Sequence, residues 1–405
     1  MDAKIIAIAV VAILAVSGVG AYYLLSGDQS PQDSTYGEDG KILAQKCDPY
    51  TITDAAGRTY TFDHTFGPAA LPHSEMGGAF FTLAALTGKE LPAYIAGMNK
   101  TSFKNSTFGY IFDEMPGLEK TAEITNEAAA VLASGSEIYI DYLPAQTTNE
   151  AVGGLKESLD KAGIPLLYIN YHSEDPQVIA DGIRMIGKLW GLNEKADKLA
   201  DLYLSKSKYI FDNAEKLIAK NGGVRPEICA EWQGNLDEVK TSWNKTIQWG
   251  ALIYGVGGSN LEDDGPTYPQ LTLSNILASQ PTTMMFSGNV GYGDRTIHIG
   301  YGYDEERTVK DTIRLFEGAD AREGYKDLPA WSGDHKNVYV VNHMLNRNIF
   351  GFATVEFIAK MVWPEEYKDL TPAKDLEAFW NEWLPFSYQG CWLVDVGEYL
   401  DTHAS

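Results

Sequence analysis

The sequence predicts an α/β protein with two lobes that are joined by one long helix and preceded by a transmembrane helix. Three observations lead to this fold class. Residues 5–25 form an apolar tract, and from Cys47 onward short apolar runs alternate with amphipathic segments. One amphipathic segment near the middle of the chain keeps helical spacing for about 28 residues. Alternating strands and helices are typical of mainly parallel sheets covered by helices.

The apolar tract at residues 5–25 is long enough to cross a bilayer. At about 1.5 Å per residue, a helix of this length spans about 30 Å, the thickness of a hydrocarbon core. Lys4 precedes the tract and favours a cytoplasmic N-terminus. Small residues at positions 15–20 are compatible with signal-peptide cleavage, but the apolar run continues through Leu25. We therefore expect an uncleaved anchor at 1–26, followed by a flexible polar stalk at 27–46.

The composition limits the partners of the body. The 405 residues carry 32 Lys and Arg against 55 Asp and Glu, a formal net charge of −23, which disfavours nucleic acid and anionic lipid headgroups. Three cysteines are too few for a disulfide scaffold and lack metal-ligand spacing. Cys229 lies in an apolar run and is predicted to be a buried thiol. Cys47 and Cys391 lie near the two ends of the body, so we predict that they form a disulfide in an oxidising exterior.

Each lobe has its own series of strands and helices. In the N-terminal lobe, residues 47–192, strands are predicted at 93–98, 137–142 and 165–171, and helices at 126–133, 149–162 and 175–190. The long interlobe helix is predicted at 193–222. In the C-terminal lobe, residues 223–405, strands are predicted at 224–232, 282–287 and 337–342, and helices at 245–254, 272–279, 305–316 and 350–361.

Several short motifs occur in a defined order. An Asp-x-x-Gly-Arg turn lies within residues 52–62 (ITDAAGRTYTF). It is followed by residues 118–140 (LEKTAEITNEAAAVLASGSEIYI), 255–261 (GVGGSNL), 268–271 (YPQL), 275–286 (NILASQPTTMMF) and 328–341 (LPAWSGDHKNVYVV). In this order the motifs resemble those of class III periplasmic binding proteins, the substrate-binding proteins of ABC importers for iron complexes, haem and cobalamin. The resemblance covers residues 50 to 385.

The resemblance has implications for function. It implies two Rossmann-like lobes that hold a ligand between them, an ABC permease and ATPase as partners, no enzymatic activity and no resident cofactor. It also implies that Glu127 contacts the permease, whereas Ser274 stands where the second lobe would carry a matching acid. The implied ligand is an iron chelate (siderophore) or a tetrapyrrole such as haem or a corrinoid. Together with the anchor, the resemblance implies a cell-surface protein with an extracytoplasmic body. An uncleaved anchor and an acidic body are typical of an archaeal protein.

Candidate ligand-binding residues follow from the fold. In open α/β sheets, ligands bind beyond the carboxyl ends of the strands. The second-lobe loops at these ends are rich in aromatic residues, which suits a large flat ligand, and Tyr268 aligns with a family position that often carries an aromatic. Arginines there can hold carboxylates or a ferric chelate. The candidates are Tyr268, Trp232, Trp243, Tyr292, Tyr142, His73, Met98, Arg295, His343 and Arg347.

Three alternatives remain open. A receptor for a free divalent metal ion would need residues such as His73, Glu75, His298 and His343 to converge, although the seven histidines show no paired spacing. The other two are an enzyme and a surface sensor that use the same bilobed architecture. The sequence has no Gly-x-Ser-x-Gly, His-Glu-x-x-His or Gly-x-x-x-x-Gly-Lys signature.

Overall fold

The computed structural model describes residues 35–74, 78–125, 127–147, 154–288 and 293–403. The predicted anchor, and the stalk as far as residue 34, lie outside the described residues. Within the described ranges, no helix combines the length and the apolar character needed to cross a membrane.

A hairpin forms around the Asp-x-x-Gly-Arg turn at the start of the first lobe. Strand β1 (Lys46–Thr53) pairs with β2 (Thr59–His64) in antiparallel fashion. The Asp54 carboxylate accepts hydrogen bonds from the backbone nitrogens of Ala56 and Arg58 and from the Arg58 guanidinium, and Gly57 has a φ of 77°. The aspartate of the Asp-x-x-Gly-Arg motif thus stabilises the turn by hydrogen bonds to its backbone. Glycine is needed at position 57 because the φ there is in the left-handed region.

The first lobe is built on a five-stranded parallel sheet in the order β5-β4-β3-β6-β7. Its strands are β3 (Ala69–Leu71), β4 (Ile95–Met98), β5 (Ala122–Glu123), β6 (Ile138–Tyr142) and β7 (Leu166–Ile169). Its helices are α1 (Phe80–Thr87), α2 (Lys100–Lys104), α3 (Ile111–Glu114), α4 (Ala128–Ala133), α5 (Leu155–Ala162) and α6 (Pro176–Leu189). The predicted strands at 93–98, 137–142 and 165–171 are confirmed, whereas the three-residue β3 is too short to show a period in the sequence.

The long helix α7 (Asn193–Lys220) confirms the predicted interlobe helix. It lies against both lobes. Near its start the Lys195 ammonium donates to the Leu86 carbonyl of the first lobe, at 3.0 Å. At its middle, Lys206 donates to the carboxylate of Asp375 in the second lobe, at 2.8 Å. Because one rigid helix is fixed to both lobes, it limits how far they separate.

The second lobe repeats the plan with a sheet in the order β12-β11-β10-β8-β9. Its strands are β8 (Glu227–Trp232), β9 (Ser259–Asn260), β10 (Met284–Gly288), β11 (Val338–Asn342) and β12 (Leu393–Asp395). Its helices are α8 (Gln248–Gly255), α9 (Leu273–Ser279), α10 (Glu305–Phe316), α11 (Pro329–Ser332), α12 (Phe352–Val362), α13 (Pro372–Trp383) and α14 (Val396–His403). All pairings in this sheet are parallel except that of β12 with β11, and the three residues of β12 are too few to indicate an antiparallel edge from the sequence.

Aromatic side chains join the two lobes into one continuous core. Phe81 of the first lobe packs edge-on against Phe350 of the second, with ring centroids 5.0 Å apart. Phe108 stacks on Trp392 at 5.5 Å. The buried ring of Tyr110 also stacks on the exposed ring of Tyr301, with 4.3 Å between the centroids. An interface with this many buried rings favours small relative movement of the lobes.

Two predictions near the ends of the body need correction. Part of the predicted stalk packs on the first lobe: Ile42 is buried, and the Lys41 ammonium donates to the carbonyls of Pro92 and Ile95. The predicted Cys47–Cys391 disulfide is not formed, because all three cysteines are free thiols. Cys47 lies in the first-lobe hairpin, whereas Cys391 is held in the second lobe by a bridge to Gly300. Cys229 is buried as predicted.

Candidate ligand-binding cleft

The loops that follow the parallel strands of the two lobes meet between the lobes. The loop after β7 contributes His172 and Glu174, and the loop after β11 contributes His343 and Arg347. Glu174 and Arg347 come within 3.6 Å of each other across this boundary. The cleft therefore lies at the carboxyl ends of the strands, as expected for an open α/β sheet.

The first-lobe wall is a layer of three rings. His73, in the loop after β3, packs edge-on against Tyr142 with centroids 4.3 Å apart, and Tyr142 lies 4.8 Å from the ring of His172. Asp141 is fully buried at the end of β6, and its carboxylate lies 2.6 Å from His73 Nδ1. This short charge-assisted bond fixes the orientation of the His73 ring at the cleft.

The second-lobe wall is centred on His343. Its ring lies about 6 Å from three tryptophans, with centroid distances of 6.1 Å to Trp232, 6.0 Å to Trp243 and 6.2 Å to Trp249. The Trp249 indole donates to His343 Nδ1 at 3.2 Å, and Ser287 Oγ lies at the same distance. Since Nδ1 accepts these bonds, the proton of the neutral ring is assigned to Nε2.

Arg347 is the charge at the centre of the cleft. Its side chain is 3% exposed and pairs with the Glu174 carboxylate. Burial, with the neighbouring guanidinium, holds the pKa of His172 well below its ordinary value and lowers the pKa of His343 to about 3. Both histidines are thus neutral at pH 7. Burial raises the pKa of Glu174 to about 7, although Arg347 opposes the shift.

The backbone around the cleft is strained. Among the described residues other than glycine, positive φ occurs at Glu174 (60°), Gln233 (71°), Gln248 (51°), Gln280 (50°) and Arg347 (66°). All but Gln280 lie in or beside the two walls. Positive φ is unfavourable for residues with a Cβ, and such strain is concentrated at ligand-binding sites in proteins.

Most of the sequence-predicted residues converge here. His73 and Tyr142 lie in the first wall, and Trp232 and His343 lie in the second. Trp243 is only 2% exposed, so it supports His343 from behind. Arg347 lies between the walls. The Tyr268 hydroxyl accepts a hydrogen bond from Gln248 Nε2 at 3.2 Å and interacts electrostatically with Arg347. Tyr268 is 51% exposed, which leaves its ring accessible to a ligand.

Two candidates are wrong. Met98 is fully buried at the end of β4, where it belongs to the first-lobe core. Arg295 is exposed and bonds to Asp237 at 2.7 Å, so it forms a surface salt bridge instead of reaching the cleft. Tyr292 and Glu75 lie outside the described residues.

The structure also bears on the metal and permease predictions. His298 is buried against Asp311, with 2.7 Å between Nδ1 and the carboxylate, and does not join His73 or His343. In the part of the chain that the structure describes, no group of three or more His, Cys, Asp or Glu side chains is arranged to hold a metal ion. Glu127 is exposed immediately before α4, and Ser274 is exposed in α9.

Sequence reasoning missed several cleft residues. The loop after β7 carries His172 and Glu174, and the rule that ligands bind beyond strand ends applies to it as well. Asp141 carried a further signal, since an acid within an apolar strand run must have a partner. Trp249 and Ser287 offered no such signal, because their contact with His343 depends on how the strands pack.

Comparison with known proteins agrees with this geometry. No protein-family model and no curated protein matches the chain. Among solved structures, the TroA-like periplasmic binding protein FepB from Veillonella parvula is similar, with 29% identity, a TM-score of 0.78, and coverage of 85% of this chain and 99% of that one. The chain is thus similar in sequence and fold to a TroA-like periplasmic binding protein, in agreement with the resemblance to class III binding proteins.

More distant solved structures share the fold of this chain. An ABC transporter solute binding protein from Sulfurospirillum deleyianum has 15% identity and a TM-score of 0.57, covering 87% of this chain and 98% of its own. The molybdate-bound MolA from Haemophilus influenzae has 15% identity and a TM-score of 0.55, covering 84% and 99%. The structural relatives are therefore solute-binding components of ABC transporters.

Proposed function

We propose that this protein captures an anionic metal chelate or tetrapyrrole outside the cytoplasmic membrane and delivers it to an ABC permease and its ATPase. The observation that carries the proposal is the position of Arg347, a buried cation between two aromatic walls. A guanidinium binds carboxylates with two parallel hydrogen bonds. The rings around it offer flat apolar surface. Together they suit a ligand that is both aromatic or macrocyclic and negatively charged.

Haem, ferric siderophores and corrinoids are the ligand classes to be tested. Haem presents a flat macrocycle with two propionates, and many siderophores present carboxylate or catecholate oxygens around iron. The exposed ring of Tyr268 and the part-exposed ring of Trp232 supply the surface on which such a ligand stacks. The anchor at 1–26 and the contact of Glu127 with the permease belong to the same proposal.

One observation favours a second candidate, a free divalent metal ion. Metal-binding histidines commonly bond to a carboxylate through their other nitrogen, and His73 and Asp141 have this arrangement at 2.6 Å. The ring of His172 also packs against Tyr142, the ring that His73 contacts. Against this candidate, the third histidine of the cleft, His343, is engaged through Nδ1 by Trp249 and lies in the opposite wall.

A titration separates the two candidates. The purified protein is titrated with haem, ferric siderophores, cobalamin, Zn²⁺ and Mn²⁺, and tryptophan fluorescence and calorimetry report binding. We expect one chelate or tetrapyrrole class to bind, quenching the tryptophans around His343, and the bare ions not to compete. Binding of Zn²⁺ or Mn²⁺ alone, abolished by His73→Ala, would replace the chelate proposal by the metal-ion candidate.

A further inference from the structure

The two charged residues that meet in the cleft come from opposite lobes. Glu174 and Arg347 are 5% and 3% exposed, and the carboxylate Oε1 lies 3.6 Å from the guanidinium Nε. Asn346 Nδ2 approaches the same oxygen at 3.5 Å. Burying an ion pair costs desolvation energy that only close, well-aligned hydrogen bonds repay. The spacing of this pair is wider than the 2.7–2.9 Å that is usual for such a bond.

A second buried Glu–Arg pair in the same protein provides a comparison. Within the second lobe, Arg322 holds Glu231 with two parallel bonds of 2.6 and 2.7 Å and donates to nearby carbonyls as well. That pair has the geometry of a permanent structural bridge. The cleft pair has the same residue types and similar burial, but it lacks this close bidentate contact between its two side chains.

The backbone at the cleft pair is also unusual. Glu174 has a φ of 60° and Arg347 a φ of 66°, whereas neither Glu231 nor Arg322 has a positive φ. Left-handed backbone at a residue with a side chain is unfavourable and persists where the surroundings impose it. Glu174 and Arg347, both with unfavourable backbone conformations, therefore place opposite charges next to each other in the cleft where a ligand would bind.

We infer that Glu174 is an internal counter-ion that occupies Arg347 until a carboxylate of the ligand replaces it. This rests on the proposed function and narrows it to ligands that carry at least one carboxylate. The exchange leaves the Glu174 carboxylate buried without its cation. The charge in the site is balanced if Glu174 takes one proton from solvent as the ligand carboxylate binds Arg347. No covalent bond other than this O–H bond forms.

The groups around the pair are compatible with the exchange. Several described groups interact electrostatically with the pair: Tyr203 from α7 with Glu174, and Tyr142, His172, His343 and Tyr268 from the two walls with Arg347. The two histidines are neutral at pH 7, since burial lowers the pKa of each. Burial raises the pKa of Glu174 to about 7, so protonation of Glu174 is accessible near neutral pH.

Chemical rescue tests this exchange without the natural ligand. The full chain with Glu174→Ala has a vacated carboxylate position beside Arg347, and acetate is the probe. We expect acetate to raise the Tm of this variant by about 2 to 4 °C in a saturable manner. Sodium chloride at equal ionic strength should not do so, and neither the wild type nor the double variant Glu174→Ala/Arg347→Gln should respond to acetate.

Equal responses of Glu174→Ala to acetate and chloride, or an acetate response that persists in the double variant, would overturn the inference. If Glu174→Ala does not accumulate as folded protein, refolding it in acetate and in chloride decides in the same way, because a higher yield in acetate alone supports the inference and equal yields refute it. Since no chelate is involved, this result is independent of the titration that tests the proposed function.

Discussion

Glu174 of the first lobe and Arg347 of the second form a buried ion pair across the cleft, with 3.6 Å between Oε1 and Nε. The pair connects the loops that follow β7 and β11. It places one cation, and one carboxyl group whose pKa is raised by burial, between the two aromatic walls.

Replacing Tyr268 by Ala should weaken ligand binding without unfolding the protein. The ring is 51% exposed, so its loss should change the free energy of unfolding by less than about 0.5 kcal/mol. Loss of a stacking contact should reduce affinity by roughly 1 to 3 kcal/mol, about ten- to a hundredfold. Tyr209→Ala is the matched control, because Tyr209 is 43% exposed on α7 away from the cleft. Calorimetric affinities that fall equally in both variants would refute a contact with Tyr268.

Trp232 and Trp243 should respond differently to substitution. Trp232 is only partly buried at the end of β8, so Trp232→Ala should mainly lower ligand affinity. Trp243 is 2% exposed behind His343, so Trp243→Ala should lower the free energy of unfolding by about 3 to 5 kcal/mol. Urea unfolding and ligand titration of both variants measure the two effects. A stable Trp243→Ala protein would show that this ring does not support the wall.

Glu356 should make stability depend on pH. It is 1% exposed in α12, and burial raises its pKa from 4.5 to about 8, although Lys206 at 3.6 Å opposes the shift. Between these values the folded protein keeps a proton that the unfolded chain has lost, so this group lowers the free energy of unfolding as pH rises from 4.5 to 8. Glu356→Gln should reduce that fall, by up to a few kcal/mol at about 1.4 kcal/mol per pKa unit.

Urea unfolding at several pH values measures this effect. Glu365→Gln, which removes an exposed acid three residues beyond α12, should keep the wild-type profile. If Glu356→Gln and the wild type lose stability in parallel between pH 4.5 and 8, Glu356 is not the buried proton-binding group.

Residues 35–46 should contribute to stability. Lys41 bonds to two carbonyls of the first lobe at 2.7 and 2.6 Å, and Ile42 is buried beside them. The free energy of unfolding of a chain that starts at residue 47 should therefore be lower, by about 2 kcal/mol or more, than that of a chain that starts at residue 35. Their urea midpoints, compared at equal m-values, measure the difference. Identical midpoints would restore the prediction that the flexible stalk extends to residue 46.

Local patterns in the sequence were enough to predict the framework. The period of α7, the strand runs at β6 and β11 and the Asp54–Arg58 turn each depend on residues close together in the chain. The prediction of a disulfide was wrong. Cys47 and Cys391 lie near the two ends of the body in the sequence, but this does not bring them together in space.

The site was predictable only in part. The aromatic and arginine residues of strand-end loops pointed to Tyr268, His343 and Arg347, which the structure places in or beside the cleft, and their contact with a ligand stays a prediction. The partner of Arg347 could not be inferred, because Glu174 lies in the other lobe and their contact depends on how the lobes pack. The same dependence explains the errors at Met98 and Arg295. Each stands at a strand end or in a loop, yet Met98 is buried in the core and Arg295 is directed to Asp237.

The most direct test of the account is the affinity of Arg347→Gln for the chelate or tetrapyrrole that the wild type binds. Loss of a charged hydrogen-bonding partner should weaken binding by about 1.5 to 3 kcal/mol, roughly ten- to a hundredfold. Arg295→Gln, the same change at an exposed second-lobe arginine, should bind like the wild type. If Arg347→Gln also binds like the wild type, or if the wild type binds only divalent ions, the cleft is not a receptor for an anionic chelate.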